Sequence, residues 1–337
     1  MSIISSDISN IISKTDLKFL KNKKILITGS SGLVGSYFVQ TLQHLIKIGE
    51  GPSKLFLSSM SGKFQYDVDP SAEVVVGDLT NLQLFSKLPN VDIIIHAAGY
   101  GQPSKFLENP LLTIALNTTG TLELMKKVNS GGKFLFISSS EVYSGLKTPP
   151  FIEDEIGTTN TNHIRSSYIE GKRTGEAIVA TTKRTSDIDA KSVRLSLAYG
   201  PGTKTGDSRA INTFIQQAIT SSRIVLKDDG HAMRTYCYIT DAIEMCLNVL
   251  NKGKNDIYNV AGNSRVSILD LAKLIAELSN AEVSVPGNSK NTLKGAPDDV
   301  WLDLKNTLSL SNKTEFVSLK NGLQNTINWQ MMKLFTV

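Results

Sequence analysis

Cysteine, histidine and long apolar runs are scarce in this chain of 337 residues. Two cysteines, Cys237 and Cys246, are too few for a disulfide framework, and they favour the reducing cytoplasm as the place of action. The four histidines are far from one another and from the cysteines, so we expect no metal site. The longest apolar runs are too short to cross a bilayer, and the first residues lack the apolar core of a signal peptide. We therefore expect no membrane partner.

Charge is modest and evenly spread along the chain. Lys and Arg number 36 against 31 Asp and Glu, which gives a formal net charge of +5. A nucleic-acid-binding protein would be expected to carry a basic stripe, and none is present, so we predict no nucleic-acid partner. Apolar residues make up 40% of the chain, enough to bury a core in one large domain or two lobes.

Short apolar runs alternate with helical patterns through the first two thirds of the chain. The runs predict six strands, at residues 24–28, 54–57, 73–76, 91–95, 133–137 and 190–197. Longer patterns with helical spacing predict helices at 34–48, 110–128 and 168–182. This alternation is typical of an α/β fold with a doubly wound parallel sheet of the Rossmann type.

The rhythm changes after about residue 200, where turn-forming residues become frequent. We therefore predict a dinucleotide-binding Rossmann domain over residues 23–200 and a smaller, mainly substrate-binding lobe over 201–337. Apolar residues at helical spacing before the first strand predict an N-terminal helical arm over residues 1–22.

A glycine-rich turn joins the first predicted strand to the first predicted helix, with the spacing G-x-x-G-x-x-G. Glycine is needed where backbone turns sharply or approaches a ligand closely. The helix that follows offers free N–H groups to a pyrophosphate. We therefore predict a bound dinucleotide, held at this turn by Gly29, Ser31, Gly32, Leu33, Val34 and Gly35.

The end of the second strand lacks the acidic residue that usually binds the adenine ribose of NAD. It reads Leu57-Ser58-Ser59-Met60, and Lys63 follows shortly. We predict that Ser58 contacts the cofactor and that the cofactor is NAD, with NADP possible because a lysine here could accept a 2′-phosphate. Residues after the third and fourth strands are predicted to line the rest of the cofactor site: Asp78, Leu79, Ala97, Ala98 and Gly99.

A serine, a tyrosine and a lysine further along fit one redox chemistry. Ser139 ends the fifth strand, and Tyr168 and Lys172 lie at positions i and i+4 of a helix, on one face. An ammonium beside a phenol is expected to lower the pKa of that phenol from its ordinary value of about 10. Such a phenol can take a proton from an alcohol while a hydride leaves to nicotinamide, and the serine hydroxyl can hold the alcohol oxygen.

The order and spacing of these motifs resemble the extended short-chain dehydrogenase/reductases, in particular the NAD-dependent epimerase/dehydratase group acting on nucleotide sugars. The resemblance covers most of residues 23–260 and includes Tyr199-Gly200-Pro201 and Arg234-Thr235-Tyr236. It implies Tyr168 as the catalytic base, Lys172 as the residue that tunes it and binds ribose, and Ser139 as their hydroxyl partner. It also implies a homodimer, formed through the helices at 110–128 and 168–182.

The same resemblance assigns further binding residues. Tyr168, Lys172 and Asn117 would contact the cofactor. Arg234 would bind the diphosphate of a nucleotide-diphosphate sugar, since arginine offers a bidentate fork to phosphate. The predicted substrate ligands are Tyr100, Ser139, Arg209 and Arg234.

The triplet Ser139-Ser140-Glu141 and the segment from Tyr168 to Arg173 look most like UDP-glucuronate decarboxylases. This likeness implies catalytic roles for Ser140 and Glu141 in oxidation at C4, loss of carbon dioxide and return of the hydride. A 4-epimerase, a 4,6-dehydratase and an NADPH-dependent 4-keto-sugar reductase stay open, because residues 297–303 lack the arginine pair of decarboxylases. A non-catalytic dinucleotide-binding sensor is the alternative from another class.

Overall fold

A parallel sheet of seven strands organises the computed structural model, which describes residues 2–286 and 297–334. Every neighbouring pair of strands in this sheet is parallel. From one edge to the other the strands are β10 (Ile257–Val260), β6 (Asp189–Leu195), β5 (Val128–Ser139), β4 (Val91–His96), β1 (Lys24–Thr28), β2 (Lys54–Ser59) and β3 (Glu73–Val76). The strand order reverses between β1 and β4, and a ligand crevice is expected at the carboxyl ends of these strands. The predicted Rossmann-type α/β fold is confirmed.

Eleven helices in the described residues connect and cover the strands. They are α1 (Ile3–Lys14), α2 (Leu33–Lys47), α3 (Pro103–Glu108), α4 (Pro110–Ala115), α5 (Thr121–Met125), α6 (Ser166–Thr185), α7 (Ala210–Ser221), α8 (Ile239–Lys252), α9 (Ile268–Ser279), α10 (Lys305–Leu308) and α11 (Leu319–Leu334). Short 3₁₀-helices lie at Lys18–Leu20, Leu82–Lys87 and Ser140–Tyr143.

Five short strands form two small sheets beside the main one. They are β7 (Leu197–Tyr199), β8 (Arg223–Val225), β9 (Met233–Tyr238), β11 (Ser264–Ser267) and β12 (Glu282–Ser284). The strand β9 lies between β7 and β11, and β8 pairs with β12. The predicted strand at 190–197 therefore ends earlier than expected, and the chain passes into a second sheet at β7.

The strands of the main sheet are apolar because both faces are covered. In β4, Ile93 and Ile95 pack into a core with residues of α2 and α8, whereas Ile94 packs into a second core that includes Val179 of α6. This alternation follows from the two-residue period of a strand. The edge strand β3 is the exception, since Val74 and Val76 are exposed.

The N-terminal helix α1 is part of the main core. Ile8 and Ile11 are buried in it, and the helix packs on α2 and α8. The carboxylate of Asp7 is also buried, and its Oδ2 accepts hydrogen bonds from the hydroxyls of Tyr37 at 2.8 Å and Tyr238 at 3.0 Å. Burial raises the pKa of Asp7 to about 6.

The helix predicted over 110–128 is present from Pro110 to Met125, three residues shorter than predicted, and a π-turn at Leu116–Gly120 lies inside it between α4 and α5. Polar side chains in this segment bond back to carbonyl oxygens of the preceding turn. The hydroxyl of Thr113 donates to Asn109 at 2.8 Å, and Asn117 Nδ2 donates to Thr113 at 2.7 Å. Such back-bonding bends helices, and π-turns are frequent at functional sites.

The seventh strand of the main sheet comes from beyond residue 200. The strand β10 pairs with β6, and α8 packs against the same sheet. The two predicted domains thus share one sheet, and the division of function at residue 200 stays a prediction. Residue 1 of the predicted arm, and residues 287–296 and 335–337 of the predicted lobe, lie outside the described residues.

Within residues 2–286 and 297–334, no helix is both long and apolar enough to cross a membrane.

Candidate active site

The glycine-rich turn between β1 and α2 brings backbone close to backbone. Gly29 has a φ of 65°, and a Cβ atom on it would lie 2.6 Å from the carbonyl oxygen of Ala97. A Cβ atom on Gly35 would collide with the carbonyl oxygen of Gly29, and Gly32 precedes the helix directly. The helix α2 begins at Leu33, followed by Val34, without a side-chain cap. Its first N–H groups are therefore available to an anion.

Two serines and a lysine from three segments meet beside this turn. The Ser59 hydroxyl, at the end of β2, donates to Ser31 Oγ at 3.1 Å, and Lys204 Nζ donates to the same oxygen at 3.1 Å. The side chain of Ser58 is buried. The carbonyl oxygen of Ser58 accepts from the N–H of Ser30 at 3.2 Å and from the hydroxyl of Ser30 at 2.9 Å. The side chain that reaches the turn from this strand end is thus Ser59, one residue after the predicted Ser58.

Asp78 and Leu79 follow β3 at the same edge of the sheet. Asp78 Oδ1 accepts from the N–H of Thr80 at 2.9 Å, and Leu79 is buried. Burial and the nearby carboxylate of Asp78 together raise the pKa of Tyr100. A predicted cofactor ligand and a predicted substrate ligand are therefore neighbours.

Small residues after β4 keep the space beside Lys172 open. The N–H groups of Ala97 and Ala98 donate to Thr28, at 3.3 Å to its carbonyl oxygen and at 3.2 Å to its hydroxyl. A Cβ atom on Gly99 would lie 3.6 Å from Lys172 Nζ. A larger side chain at residue 99 would therefore crowd the ammonium group.

Asn117 presents an unmatched polar atom inside the protein. Its side chain is fully buried in the π-turn, next to Gly171 of α6. Its amide nitrogen bonds to Thr113, whereas its Oδ1 has no hydrogen-bond partner among the described residues. An unpaired buried acceptor is costly unless water or a ligand completes it.

Ser139, Tyr168 and Lys172 come together as the sequence predicts. The Ser139 hydroxyl, where β5 ends, accepts from the N–H of Glu141 at 3.2 Å and lies close enough to Tyr168, in the first turn of α6, to affect the pKa of its phenol. Lys172 Nζ lies 5.8 Å from the centre of the Tyr168 ring and donates to the carbonyl oxygen of Ile137 at 2.7 Å. All three side chains are buried at the carboxyl end of the sheet.

The predicted lowering of the Tyr168 pKa is wrong for this arrangement. Burial raises the pKa of Tyr168 to about 12, and the opposing effects of Ser139 and two nearby arginines are smaller. Burial also lowers the pKa of Lys172 to about 7, although the carboxylate of Glu176 counters this. The physical reason is that burial disfavours both charged forms, so the lysine that should stabilise a phenolate loses part of its own charge.

Glu141 is ion-paired rather than free. Both of its carboxylate oxygens accept from Arg165, with Nε at 3.0 Å and Nη2 on the other oxygen. The guanidinium lies 5.0 Å from the centre of the Phe106 ring, which stacks on the Tyr168 ring at 4.7 Å with an angle of 14°. The neighbouring Ser140 is partly exposed.

Arg165 and Phe106 were not identified from the sequence. Arg165 lies three residues before Tyr168, so the helical spacing that paired Tyr168 with Lys172 could have found it. Phe106 carried no such signal, because its contact with Tyr168 depends on how α3 folds back over α6.

Two further arginines approach the same place. Arg209 is bonded to Asp207, with Nη2 to Oδ2 at 2.7 Å, and its positive charge lowers the pKa of Tyr168 slightly. Among the described residues, Arg234 donates to two backbone carbonyl oxygens, those of Met233 at 2.7 Å and Asp298 at 3.4 Å. Burial lowers the pKa of Arg234, and the charges of Glu141 and Arg165 both act on it. The predicted diphosphate ligand therefore lies close enough to the Glu141–Arg165 pair for these charges to affect its pKa.

A second ion pair lies beneath Lys172. Glu176 accepts from Arg194 Nη2 at 2.9 Å and from the Ser138 hydroxyl at 2.5 Å. Arg194 Nη1 donates to the carbonyl oxygens of Glu153 at 3.0 Å and Glu155 at 2.9 Å. This pair joins α6 to the ends of β5 and β6.

The crevice residues fit a nicotinamide dinucleotide. The glycine cradle and the uncapped helix suit a pyrophosphate, and the small residues 97–99 admit a flat ring beside Lys172 and Tyr168. The unpartnered oxygen of Asn117 fits an enclosed ligand or its water. The described residues contain no group of three His, Cys, Asp or Glu side chains that could hold a metal ion.

Comparison with known proteins identifies the family of the chain. The sequence profile described as the NAD dependent epimerase/dehydratase family matches residues 25–261. The chain is 29% identical to UDP-glucuronic acid decarboxylase 6 of Arabidopsis thaliana over 285 residues, covering 83% of this chain and 80% of that protein. It is 27% identical to UDP-glucuronic acid decarboxylase 1 of Xenopus tropicalis, covering 93% of this chain and 74% of that protein.

Solved structures share the fold at lower identity. The UDP-glucose 4-epimerase of Thermotoga maritima matches with a TM-score of 0.78 at 22% identity, covering 92% of this chain and 99% of that one. The dTDP-glucose 4,6-dehydratase DesIV of Streptomyces venezuelae, solved with NAD, matches with a TM-score of 0.79 at 22% identity, covering 93% and 98%. These structures support the fold, and the family profile confirms the resemblance drawn from the motifs.

Proposed function

Because the chain belongs to the NAD dependent epimerase/dehydratase family, we propose that it modifies a nucleotide sugar by transient oxidation at C4. Among the reactions of this kind, decarboxylation of UDP-glucuronate is the one we favour. The curated relatives support it, since those reported above are UDP-glucuronic acid decarboxylases.

One observation carries the redox part of this proposal. The hydroxyl of Ser139, the phenol of Tyr168 and the amine of Lys172 meet at the carboxyl end of the sheet, one side chain away from Gly99. A non-catalytic dinucleotide sensor would have no need of this trio, so we set that alternative aside.

The trio performs the proton transfers of the proposed reaction. Ser139 holds the C4 oxygen of the sugar, and Tyr168, in its phenolate form, takes the hydroxyl proton as C4 is oxidised to a ketone. Because burial raises the pKa of Tyr168 to about 12, this form needs nearby positive charge, which Lys172 and an oxidised dinucleotide would supply. The substrate is then a β-keto acid: its C5–C6 bond breaks, carbon dioxide leaves, and the electron pair of that bond forms an enolate over C5 and C4. C5 then takes a proton from solvent water, which restores the C4 ketone. Tyr168 returns the proton to the C4 oxygen when the ketone is reduced again, so the sequence is redox-neutral overall.

A bound nicotinamide dinucleotide supplies the hydride acceptor and donor. The turn residues 29–35 would hold its pyrophosphate, and Asp78 and Leu79 its adenine. Lys172 and Asn117 would contact its nicotinamide ribose. The choice between NAD and NADP depends on the residues around Ser31 and the end of β2.

Arg165 and Glu141 are proposed to act at the sugar carboxylate end. The guanidinium already binds the Glu141 carboxylate in a fork, and it lies over the Phe106 ring, which stacks on the ring of Tyr168. Arg209 and Arg234 are proposed to bind the diphosphate, with Tyr100 and Ser140 completing the substrate site.

Product mass tests the reaction. The full chain is incubated with UDP-glucuronate and either dinucleotide, and nucleotide products are analysed by mass spectrometry. We expect loss of one carbon dioxide to give a UDP-pentose. Loss of water from another nucleotide sugar, or epimerisation without a mass change, would replace decarboxylation by dehydration or epimerisation. Net reduction of a 4-keto sugar would indicate a reductase.

Substitution tests the trio. In Tyr168→Phe we expect turnover to fall by about a thousandfold, because the proton acceptor is lost. The control is Tyr258→Phe, which removes a buried hydroxyl that accepts from the N–H groups of Lys254 and Asn255, away from the site. Equal activity in Tyr168→Phe and the wild type would contradict the assignment.

We also propose a homodimer built on α4 and α5. Leu111, Leu112, Ile114 and Leu122 expose apolar surface on these short helices, and Leu111 is 78% exposed. A second copy of the chain is the proposed cover. Light scattering should give twice the chain mass for the wild type and the single mass for Leu111→Asp.

The cytoplasm is the proposed compartment. Cys237 and Cys246 are both unpaired and buried, as expected for a protein that folds under reducing conditions.

A further inference from the structure

We infer that the crevice prefers a dinucleotide carrying a 2′-phosphate, and that Ser31, Ser59 and Lys204 form the phosphate site. This inference rests on the proposed function, because it concerns the cofactor of the same site. The three residues of this phosphate site are separate from the trio Ser139, Tyr168 and Lys172.

Three segments that are distant in sequence converge on one oxygen. Ser31 belongs to the glycine turn, Ser59 ends β2, and Lys204 lies in the loop between β7 and α7. The Ser59 hydroxyl and the Lys204 ammonium both donate to Ser31 Oγ at 3.1 Å. In a doubly wound sheet, the end of the second strand is where the adenine ribose hydroxyls are recognised. The cluster therefore lies where the 2′ position of the adenine ribose is expected in a bound dinucleotide.

The charge at this edge suits a phosphate and not a free ribose. A carboxylate normally accepts from the 2′ and 3′ hydroxyls of NAD and repels a 2′-phosphate. Residues 57–63 of this chain contain no acidic residue and include Lys63. Among the residues that the structure describes, Lys204 makes no ion pair with a carboxylate. Its positive charge is thus available to a dianion.

The loop after β2 holds the cluster in place. The N–H of Gly62 donates to Ser59 Oγ at 3.2 Å, and the hydroxyl of Tyr66 donates to the carbonyl oxygen of Ser30 at 2.9 Å. The acidic residues of this loop come later, and Asp69 is engaged by the N–H and hydroxyl of Ser71. The hydroxyls and the ammonium are therefore arranged before a ligand arrives.

Direct binding to the purified full chain tests the inference without measuring turnover. Isothermal titration calorimetry compares NADP⁺ with NAD⁺, and 2′,5′-ADP with 5′-ADP. We expect the 2′-phosphorylated member of each pair to bind at least about tenfold more tightly, as for a gained charge-assisted hydrogen bond. Equal affinities, or tighter binding of NAD⁺, would overturn the inference and leave the proposed function intact. Binding of no dinucleotide would overturn both.

Variants locate the site. Lys204→Met should weaken NADP⁺ binding about tenfold and leave NAD⁺ binding within about twofold. Ser59→Asp should reverse the preference, because a carboxylate would repel the phosphate. The control is Lys252→Met at the end of α8, which removes the same charge at the opposite edge of the sheet. If Lys204→Met weakens both dinucleotides equally, Lys204 binds the shared pyrophosphate, and the inference is wrong.

Discussion

Two carboxylate–guanidinium pairs flank Tyr168 and Lys172, and they differ in what surrounds them. The inner pair, Glu176 with Arg194, has side chains that are 5% and 3% exposed. The outer pair, Glu141 with Arg165, has side chains that are 18% and 7% exposed. Each pair has one member on α6, or just before it, and one member on the sheet side of the site.

The surroundings suggest different tasks for the two pairs. The remaining donors of Arg194 are satisfied by carbonyl oxygens of Glu153 and Glu155, and Glu176 also binds Ser138. Nothing in the inner pair is left over for a ligand. In the outer pair, the Phe106 ring covers one face of the Arg165 guanidinium. A buried ion pair that is fully matched by protein therefore supports the fold, whereas one that opens towards the crevice is suited to recognition.

The largest expected effect is on stability, at the inner pair. Arg194→Met should lower the free energy of unfolding by about 3–5 kcal/mol, because it leaves the charge of Glu176 buried without a partner. Chemical denaturation measures this loss. The double variant Arg194→Met/Glu176→Met is the control, and it should be more stable than Arg194→Met alone. A loss below about 1 kcal/mol for the single variant would remove the contrast between the pairs.

A smaller effect, on catalysis, is expected at the outer pair. Arg165→Met should reduce kcat/KM for the nucleotide sugar about a hundredfold, since a preorganised donor to the substrate is lost. Its cost in stability should be only about 1 kcal/mol, because Glu141 can be hydrated from the crevice. Arg165→Lys, which keeps the charge without the fork, should recover part of the activity. If Arg165→Met instead lost several kcal/mol of unfolding free energy and kept the wild-type kcat/KM, both pairs would have the same structural role.

The smallest expected effect is a pH dependence between the two pairs, at Lys172. The pKa of Lys172 is about 7 in the folded chain against an ordinary 10.5, so between these values the unfolded chain binds the proton and the folded chain does not. The free energy of unfolding should therefore rise by about 2 kcal/mol from pH 7 to pH 9, relative to Lys172→Met. Denaturation curves for both proteins across this range measure the difference. A constant difference would mean that Lys172 stays charged in the folded chain.

Local sequence signals predicted the parts of the site that lie close together in the chain. The glycine turn follows directly from a strand and precedes a helix, and Tyr168 and Lys172 are one helical turn apart. Both features depend on contacts over a few residues, which periodicity and glycine chemistry describe well. The strands were predictable for the same reason, since burial on both faces leaves short, continuous apolar runs.

Contacts between distant segments were not predictable. Ser31 meets Lys204, and Phe106 stacks on Tyr168, only because the finished fold brings separate loops together. The raised pKa of Tyr168 was missed because the charge of Lys172 was considered without the burial that both residues share. The π-turn at Asn117 was missed because its cause is a set of side-chain bonds to the helix itself.

The position of β10 has a consequence for how the protein is made. Its seven-stranded sheet cannot be completed until a segment well past Lys172 has left the ribosome, because that edge strand is synthesised after α8. Until then β6 presents an unpaired edge, and exposed edges of this kind invite pairing with other chains. A fragment ending near residue 200 would keep that hazard permanently, so the first 200 residues should be studied as part of the whole polypeptide.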